Sequence, residues 1–436
     1  MTTVDDTTPA LLARRAQLLG PAYRLFYEQP LHPVRGAGVW LYDSAGRAYL
    51  DAYNNVASVG HCHPLVVAAL ARQAALLNTH TRYLHEGVLD YAERLMATMP
   101  SAIGHVMFTC TGSEANDLAL RVARAHTGAE GVIVTRFAYH GVTSAIAAAS
   151  PSLGSFVKLG DAVRTVAAPD GYRSDPATLG TTFANGVRAA IADLRSHGIA
   201  LAALLLDTVF SSDGIHTDPP GFLAEAAAVI REAGGVLIAD EVQAGLGRTG
   251  DALWGFQRHG LVPEIVTMGK PLGAGHPLAA MAVQPMVLAA FARECRYFNT
   301  FGGNPVSMAV GNAVLDVVEA EGLMANAQRV GALLRDGLWS LAGRHTLIGD
   351  VRGAGLFIGV ELVTDRGNKA PAGAAALRVV NAMKARGVLI SSAGPDANVL
   401  KIRPPLVFNE ANAGQLIETL DAVLSDKGPE AAAETL

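Results

Sequence analysis

The stretch Gly235-Val-Leu-Ile-Ala-Asp-Glu-Val-Gln-Ala-Gly-Leu-Gly-Arg-Thr-Gly250 decides how this chain reads. Its second half matches the dinucleotide pattern G-x-G-x-x-G at Gly245, Gly247 and Gly250. That fingerprint needs a strand running straight into the glycines and a helix leading out, so that backbone amides meet a pyrophosphate. Here the apolar run 235–239 ends in Asp240-Glu241. Two carboxylates beside a pyrophosphate repel it, so the glycines read instead as a turn following Asp240. A carboxylate at the end of a buried strand is costly unless it meets a cation.

Working outward, apolar strand-like runs at 106–109, 132–135, 203–206, 235–239 and 265–268 alternate with helical stretches such as 114–125 and 220–232. The alternation predicts an α/β fold: a large domain with a mostly parallel, seven-stranded-type sheet between helices. In such sheets ligands sit at the carboxyl ends of the strands. After about residue 305 the texture changes. Helical patterns over 305–321 and 326–341 lead into strand-like runs within 347–362, 388–391 and 399–403, which read as a smaller α+β domain. Residues 34–53 read as a hairpin turning at Ser44-Ala-Gly46. The expected division is an N-terminal segment, 1–60, packing with the small domain, a large domain at 61–305 and a C-terminal small domain at 306–436. The tail from Pro429 is expected to lack regular structure.

Composition narrows the function classes. The chain has 436 residues, half of them hydrophobic, and a net charge of −5. A mildly acidic chain with no basic run is a poor nucleic-acid ligand. The apolar run 199–206 falls far short of the roughly 20 residues a membrane helix needs. Three scattered cysteines (Cys62, Cys110 and Cys295) and an acidic N-terminus without an apolar signal core fit a reducing cytoplasm. Glycine is in excess, 46 residues against a usual ~7%, which directs attention to turns and close backbone approaches.

Lys270 lies just past the run 265–268, at the expected strand end beside Asp240. The two could form a structural ion pair. They are also the two groups a pyridoxal phosphate enzyme requires: lysine to form the Schiff base, aspartate to keep the pyridine nitrogen protonated. The second reading predicts a phosphate cradle. Thr109-Cys-Thr-Gly-Ser113 follows a strand and opens a helix, where backbone N–H groups and the positive helix end suit a dianion. Tyr139-His140-Gly141 follows the next strand and offers an aromatic to stack on a ring. The Gly60-His-Cys-His63 stretch has no further ligand cluster, so no metal is expected and it is assigned to the site entrance.

Together these segments resemble the class III aminotransferases of the pyridoxal phosphate fold type I superfamily. Thr111-Gly-Ser-Glu-Ala-Asn116, Tyr139-His-Gly141, Asp240 to Gly250, Gly269-Lys-Pro271 and Thr300-Phe-Gly-Gly-Asn-Pro305 stand in the family's order over residues 20–425. The resemblance implies that Lys270 carries the Schiff base, Asp240 pairs with the pyridine nitrogen and Gln243 bonds the ring's 3-oxygen. Tyr139 would stack over the ring with His140 beside it, and Gly112 and Ser113 would hold the phosphate. Thr300 would reach the partner's site in a homodimer with shared active sites. The family usually has glutamate where this chain has Asp207.

Within the family, Val142 replaces the arginine that tends to follow the aromatic-His-Gly motif in acetylornithine-type members. The stretches 54–64, 77–85, 267–277 and 398–405 resemble the ethanolamine-phosphate phospho-lyase and alanine-glyoxylate aminotransferase 2-like subgroup. The resemblance implies a small primary amine as substrate and elimination of phosphate from it; the alternative is an ω-aminotransferase passing the amino group to a keto acid such as pyruvate. Either substrate carries an anion. Arg82 and Arg403 are the candidate receptors, since a guanidinium grips phosphate or carboxylate bidentately, with Arg24 a third. Asn54 and Tyr23 complete the expected substrate contacts.

Overall fold

Strands that are apolar on both faces require a sheet covered on both sides. The computed structural model, which describes residues 8–426, contains such a sheet at its centre. Three strands precede it: β1 (Pro33–Ala37), β2 (Trp40–Asp43) and β3 (Ala48–Asp51). The central sheet is built from β4 (His105–Thr109), β5 (Gly131–Thr135), β6 (Val163–Val166), β7 (Leu201–Asp207), β8 (Val236–Asp240), β9 (Ile265–Met268) and β10 (Ala279–Val283). Their order is β4-β10-β9-β8-β7-β5-β6, and only β10 runs against its neighbours.

The period of two along each strand sorts its side chains between two cores. On β7, Ala203 and Leu205 join a core with Leu118 and Val122 of the helix Gly112–Thr127 and Val287 and Phe291 of the helix Pro285–Glu294. Leu204 and Leu206 join the opposite core, with Phe183 and Val187 of the helix Leu179–Ser196 and Ile230 of the helix Ala224–Glu232. Parallel pairing therefore sets all the carboxyl ends, except that of β10, on one rim.

The C-terminal part holds β11 (Ile348–Ala354), β12 (Phe357–Asp365), β13 (Ala370–Pro371), β14 (Val388–Leu389), β15 (Ser391–Ala393) and β16 (Val399–Ile402). Four of them order as β11-β12-β16-β15, with β13 on the side of β12. β14 instead pairs in parallel with β3, which completes a four-stranded sheet with the N-terminal strands. The expected hairpin is thus part of a larger sheet.

Two strands carry no strand signature in the sequence. β6 (Val-Arg-Thr-Val) is a short polar edge, and β10 (Ala-Ala-Met-Ala-Val) is rich in helix formers overridden by burial between β4 and β9. The helix expected over 220–232 starts only at Ala224, because Gly221 takes a φ of +89° that ends any helical run. The tail from Pro429 lies outside the described residues. No described helix is long and apolar enough to cross a membrane.

Helix Leu323–Ala342 crosses the turn between β11 and β12 at Gly331, where an added Cβ would lie 2.1 Å from the Gly355 carbonyl oxygen. Backbone on one side and helix on the other leave nothing to give. Gly331→Ala is expected to lower stability by about 2 kcal/mol in urea unfolding, in the range of overpacking changes. An unchanged midpoint would contradict this packing.

Candidate active site

The carboxyl ends of β4, β5, β7, β8 and β9 surround a cavity of about 360 Å³, within the size range of small-molecule sites. Eight residues singled out from the sequence line it: Gly112, Ser113, Tyr139, His140, Asp207, Asp240, Gln243 and Lys270. The order of the strands accounts for this, since β4, β5, β7, β8 and β9 each end at the same rim.

Asp240 is buried at the end of β8, and its carboxylate is held from three sides. Asn116 Nδ2 donates to Oδ2 at 2.9 Å, His140 Nδ1 lies 2.7 Å from the same oxygen, and the Val242 amide donates to Oδ1 at 3.1 Å. Asn116 is itself fixed, donating to the His140 carbonyl and accepting from Thr267 Oγ1. The signal for Asn116 was a polar residue amid the buried apolar positions of its helix. Its neighbour Glu241 points away from the cavity. It accepts from Thr208 Oγ1 and from the Gly255 and Phe256 amides, and burial pushes its pKa up to about 7. The two adjacent carboxylates thus have separate tasks, one facing the cavity and one bracing the turn behind it.

Asp207 ends β7 directly beside Asp240, the two being registered partners in the sheet. Burial first, and the Asp240 charge second, push its carboxyl above the ordinary range. The Val209 and Ser211 amides offset part of this by donating to its oxygens at 3.1 and 2.9 Å. Lys270 follows β9 and opens a short 3-10 turn, Lys270–Gly273, with a φ of +26° that few non-glycine residues adopt. The Pro271 carbonyl in that turn accepts from Ser58 Oγ at 2.7 Å, which anchors the lysine's backbone. Burial and the Arg403 charge lower the Lys270 pKa against the pull of Asp240 and Asp207. A lowered pKa leaves more of the amine as free base, the form that attacks a carbonyl and accepts a proton.

The cradle at the end of β4 has the expected form. Thr111 caps the helix Gly112–Thr127 in a reciprocal box with Glu114. Glycine is required at two points: a Cβ on Gly112 would lie 2.9 Å from Val242, and Gly141, at φ +136°, would place one 2.4 Å from Ser113 Oγ. Ser113 Oγ accepts from the Val142 amide at 3.1 Å, tying the cradle to the Tyr139-His140-Gly141 loop. The chain leading into that loop is held by Asp213, whose carboxylate accepts from Thr135 Oγ1 at 2.7 Å and the Phe137 amide at 3.1 Å.

Arg403 is buried and reaches Gln243, donating through one terminal nitrogen to Gln243 Oε1 and to Asn55 Oδ1. Its guanidinium lies over the Tyr53 ring. Arg82 does not reach the Lys270 cavity within this chain; it stacks 3.8 Å over Phe298 in a separate hollow. Thr300 is exposed, beside Phe301 at 69% exposure. Tyr23 is exposed too, with its carbonyl accepting from Arg15. Asn54 is a turn residue whose Oδ1 accepts from the Val56 amide; its neighbours Asn55 and Val56, not Asn54, meet Arg403 and the cavity. His61 and His63 do not line the cavity, and they bond to Asp51 and Glu321.

The class-III aminotransferase family profile matches residues 26–424, and the chain belongs to that family. It is 41% identical over 431 residues to a Drosophila melanogaster protein named alanine–glyoxylate aminotransferase 2-like, covering 95% of this chain and 87% of that one. It is 37% identical over 435 residues to a Caenorhabditis elegans protein named ethanolamine-phosphate phospho-lyase homolog 1, covering 95% and 93%. Among solved structures, a phospholyase from Arthrobacter in complex with phosphoethanolamine aligns at 44% identity and a TM-score of 0.92, covering 95% of this chain and 99% of that one. The fold is fold type I, and the cofactor is pyridoxal phosphate. The cavity fits that group. It offers an amine with no other partner among the described residues, a carboxylate for a ring nitrogen, and a capped helix start for a phosphate, with glycines at the points of closest approach.

Asp213 gives a test of the loop geometry. Burial raises its pKa to about 6, so its favourable contribution is present at low pH and is lost as pH rises from about 4 through about 6. The penalty above pH 6 is on the order of 3 kcal/mol. Asp213→Asn removes the titration, and the fall in Tm between pH 5 and pH 7 is expected to become shallower than in the wild type. Parallel Tm profiles would contradict this placement.

Proposed function

We propose that the protein is a phospho-lyase acting on O-phosphoethanolamine or a related phosphorylated primary amine, giving aldehyde, ammonia and phosphate. The observation that carries this reading is Arg403: a buried guanidinium with no carboxylate partner among the described residues, bonded to Gln243 on the cavity wall. Such a cation needs an anion supplied by the substrate. Likeness to two proteins named as phospho-lyases supports a phosphate there over a carboxylate.

Pyridoxal phosphate, when bound, supplies a carbonyl that captures the substrate amine and an electron sink for the carbon beside it. Asp240 would hold a proton at the ring nitrogen, and its three donors keep it oriented for that. The Gly112–Ser113 helix start would hold the cofactor's phosphate, Tyr139 one ring face, and Gln243 the ring's 3-oxygen. Lys270 Nζ would accept the proton from the amine-bearing carbon. Phosphate then leaves the adjacent carbon, and water completes the release of aldehyde and ammonia, with no amino acceptor consumed. Cytoplasmic residence and homodimerisation belong to this reading. Thr300, exposed beside Phe301, would complete a partner's cradle, and light scattering at the mass of one chain would count against it.

The decisive assay supplies O-phosphoethanolamine without a keto acid. Inorganic phosphate and ammonia are expected in equal amounts. No phosphate, together with amino transfer to pyruvate, would establish the aminotransferase instead. Lys270→Ala is expected to abolish the visible absorbance of the lysine-bound cofactor and lower turnover by on the order of a thousandfold or more. Retention of both would remove Lys270 from this role.

A further inference from the structure

Arg403 has a second buried cation beside it. Lys401 lies on β16, and Arg403 follows two positions later, directly after the strand ends at Ile402. Both residues are at 7% exposure, and neither forms an ion pair among the described residues. Lys401 Nζ donates to the Ser211 carbonyl at 2.8 Å. Ser211 is a hub: its amide donates to Asp207, and its hydroxyl accepts from Gln243 Nε2 at 2.5 Å. Gln243 in turn accepts from Arg403. A continuous chain of bonds thus runs from Lys401 through Ser211 and Gln243 to Arg403.

Two like charges buried close together, neither in an ion pair among the described residues, are costly. A guanidinium does not give up its proton in a protein, whereas a lysine does. The groups facing Lys401 are Arg403 just after its own strand, Asp207 at the end of β7, Lys270 past β9, the Ser211 carbonyl, and the Phe357 ring of β12 at 5.5 Å. Burial and Arg403 push its pKa well below the usual value. An anion that neutralises Arg403 removes that second cause.

We propose that Lys401 is a positioning residue that stands as a neutral amine beside the unliganded anion site and takes up one proton from solvent when a dianion engages Arg403. The site then offers its second positive charge only once the anion is present, through the Ser211–Gln243 chain that fixes Arg403. The inference rests on the reading of Arg403 as the anion receptor.

The test is calorimetric titration of the holoenzyme with sulfate, a dianion that does not itself titrate near pH 7.5, in two buffers of different ionisation enthalpy. Wild type is expected to take up about one proton per sulfate, and Lys401→Met to bind about fivefold more weakly with no uptake. Lys401→Arg, charged at all times, is expected to bind with no uptake, which keeps the test available if the methionine variant does not fold. The visible band of the cofactor reports separately any proton taken up at Lys270. Sulfate binding without uptake in wild type, or undiminished uptake in both Lys401 variants, would overturn the proposal and leave the anion site standing. No sulfate binding by wild type, or equal binding by Arg403→Met, would overturn the anion site itself.

Discussion

Two carboxylates held side by side at the ends of adjacent parallel strands are the constraint from which the rest of the site follows. Asp207 and Asp240 are registered partners across β7 and β8, and the sheet is covered on both faces, so neither can escape to water. The structure resolves the conflict asymmetrically. Asp240 takes two side-chain partners, Asn116 and His140, and one amide, whereas Asp207 takes two backbone amides and is pushed toward its neutral form. The basic side chains nearest this pair, Lys270, Lys401 and Arg403, form no ion pair with it among the described residues, and their own pKa values are pulled down by burial. Burial thus acts against charge on Asp207 and on the basic groups near it, a perturbation typical of functional sites.

The cations come from different parts of the chain. Lys270 is delivered by the central sheet, but Lys401 lies on β16 of the C-terminal sheet and Arg403 directly after it, and Asn55 and Tyr53 come from the segment after β3. That segment is tied to the C-terminal part by the β3–β14 pairing. The proposed anion receptor is therefore carried by a part of the chain whose strands belong to sheets separate from the large one.

Much of this was legible in the sequence, for physical reasons. Unbroken apolar runs announced buried parallel strands, and strand ends bearing Asp240, Lys270, Thr111–Ser113 and Tyr139 announced the rim. What stayed hidden were contacts across long sequence separations: Asn116 with Asp240, Ser211 with Lys401, and Asp213 beneath the Tyr139 loop. A lone Lys401 in an apolar strand pattern was the available sign of the second, since lysine is almost never fully buried without a reason. Which wall Arg82 faces could not be read from its motif, because an arginine in a motif carries no direction; within this chain it lies over the Phe298 ring.

The proposed phospho-lyase eliminates an anion, whereas an aminotransferase exports an amino group. The most direct measurement is the absorbance spectrum of the holoenzyme after it has consumed a limited amount of O-phosphoethanolamine with no keto acid present. For a phospho-lyase the cofactor is expected to return to its starting, lysine-bound spectrum. Accumulation of the aminated cofactor, with the spectrum restored only by pyruvate, would contradict it.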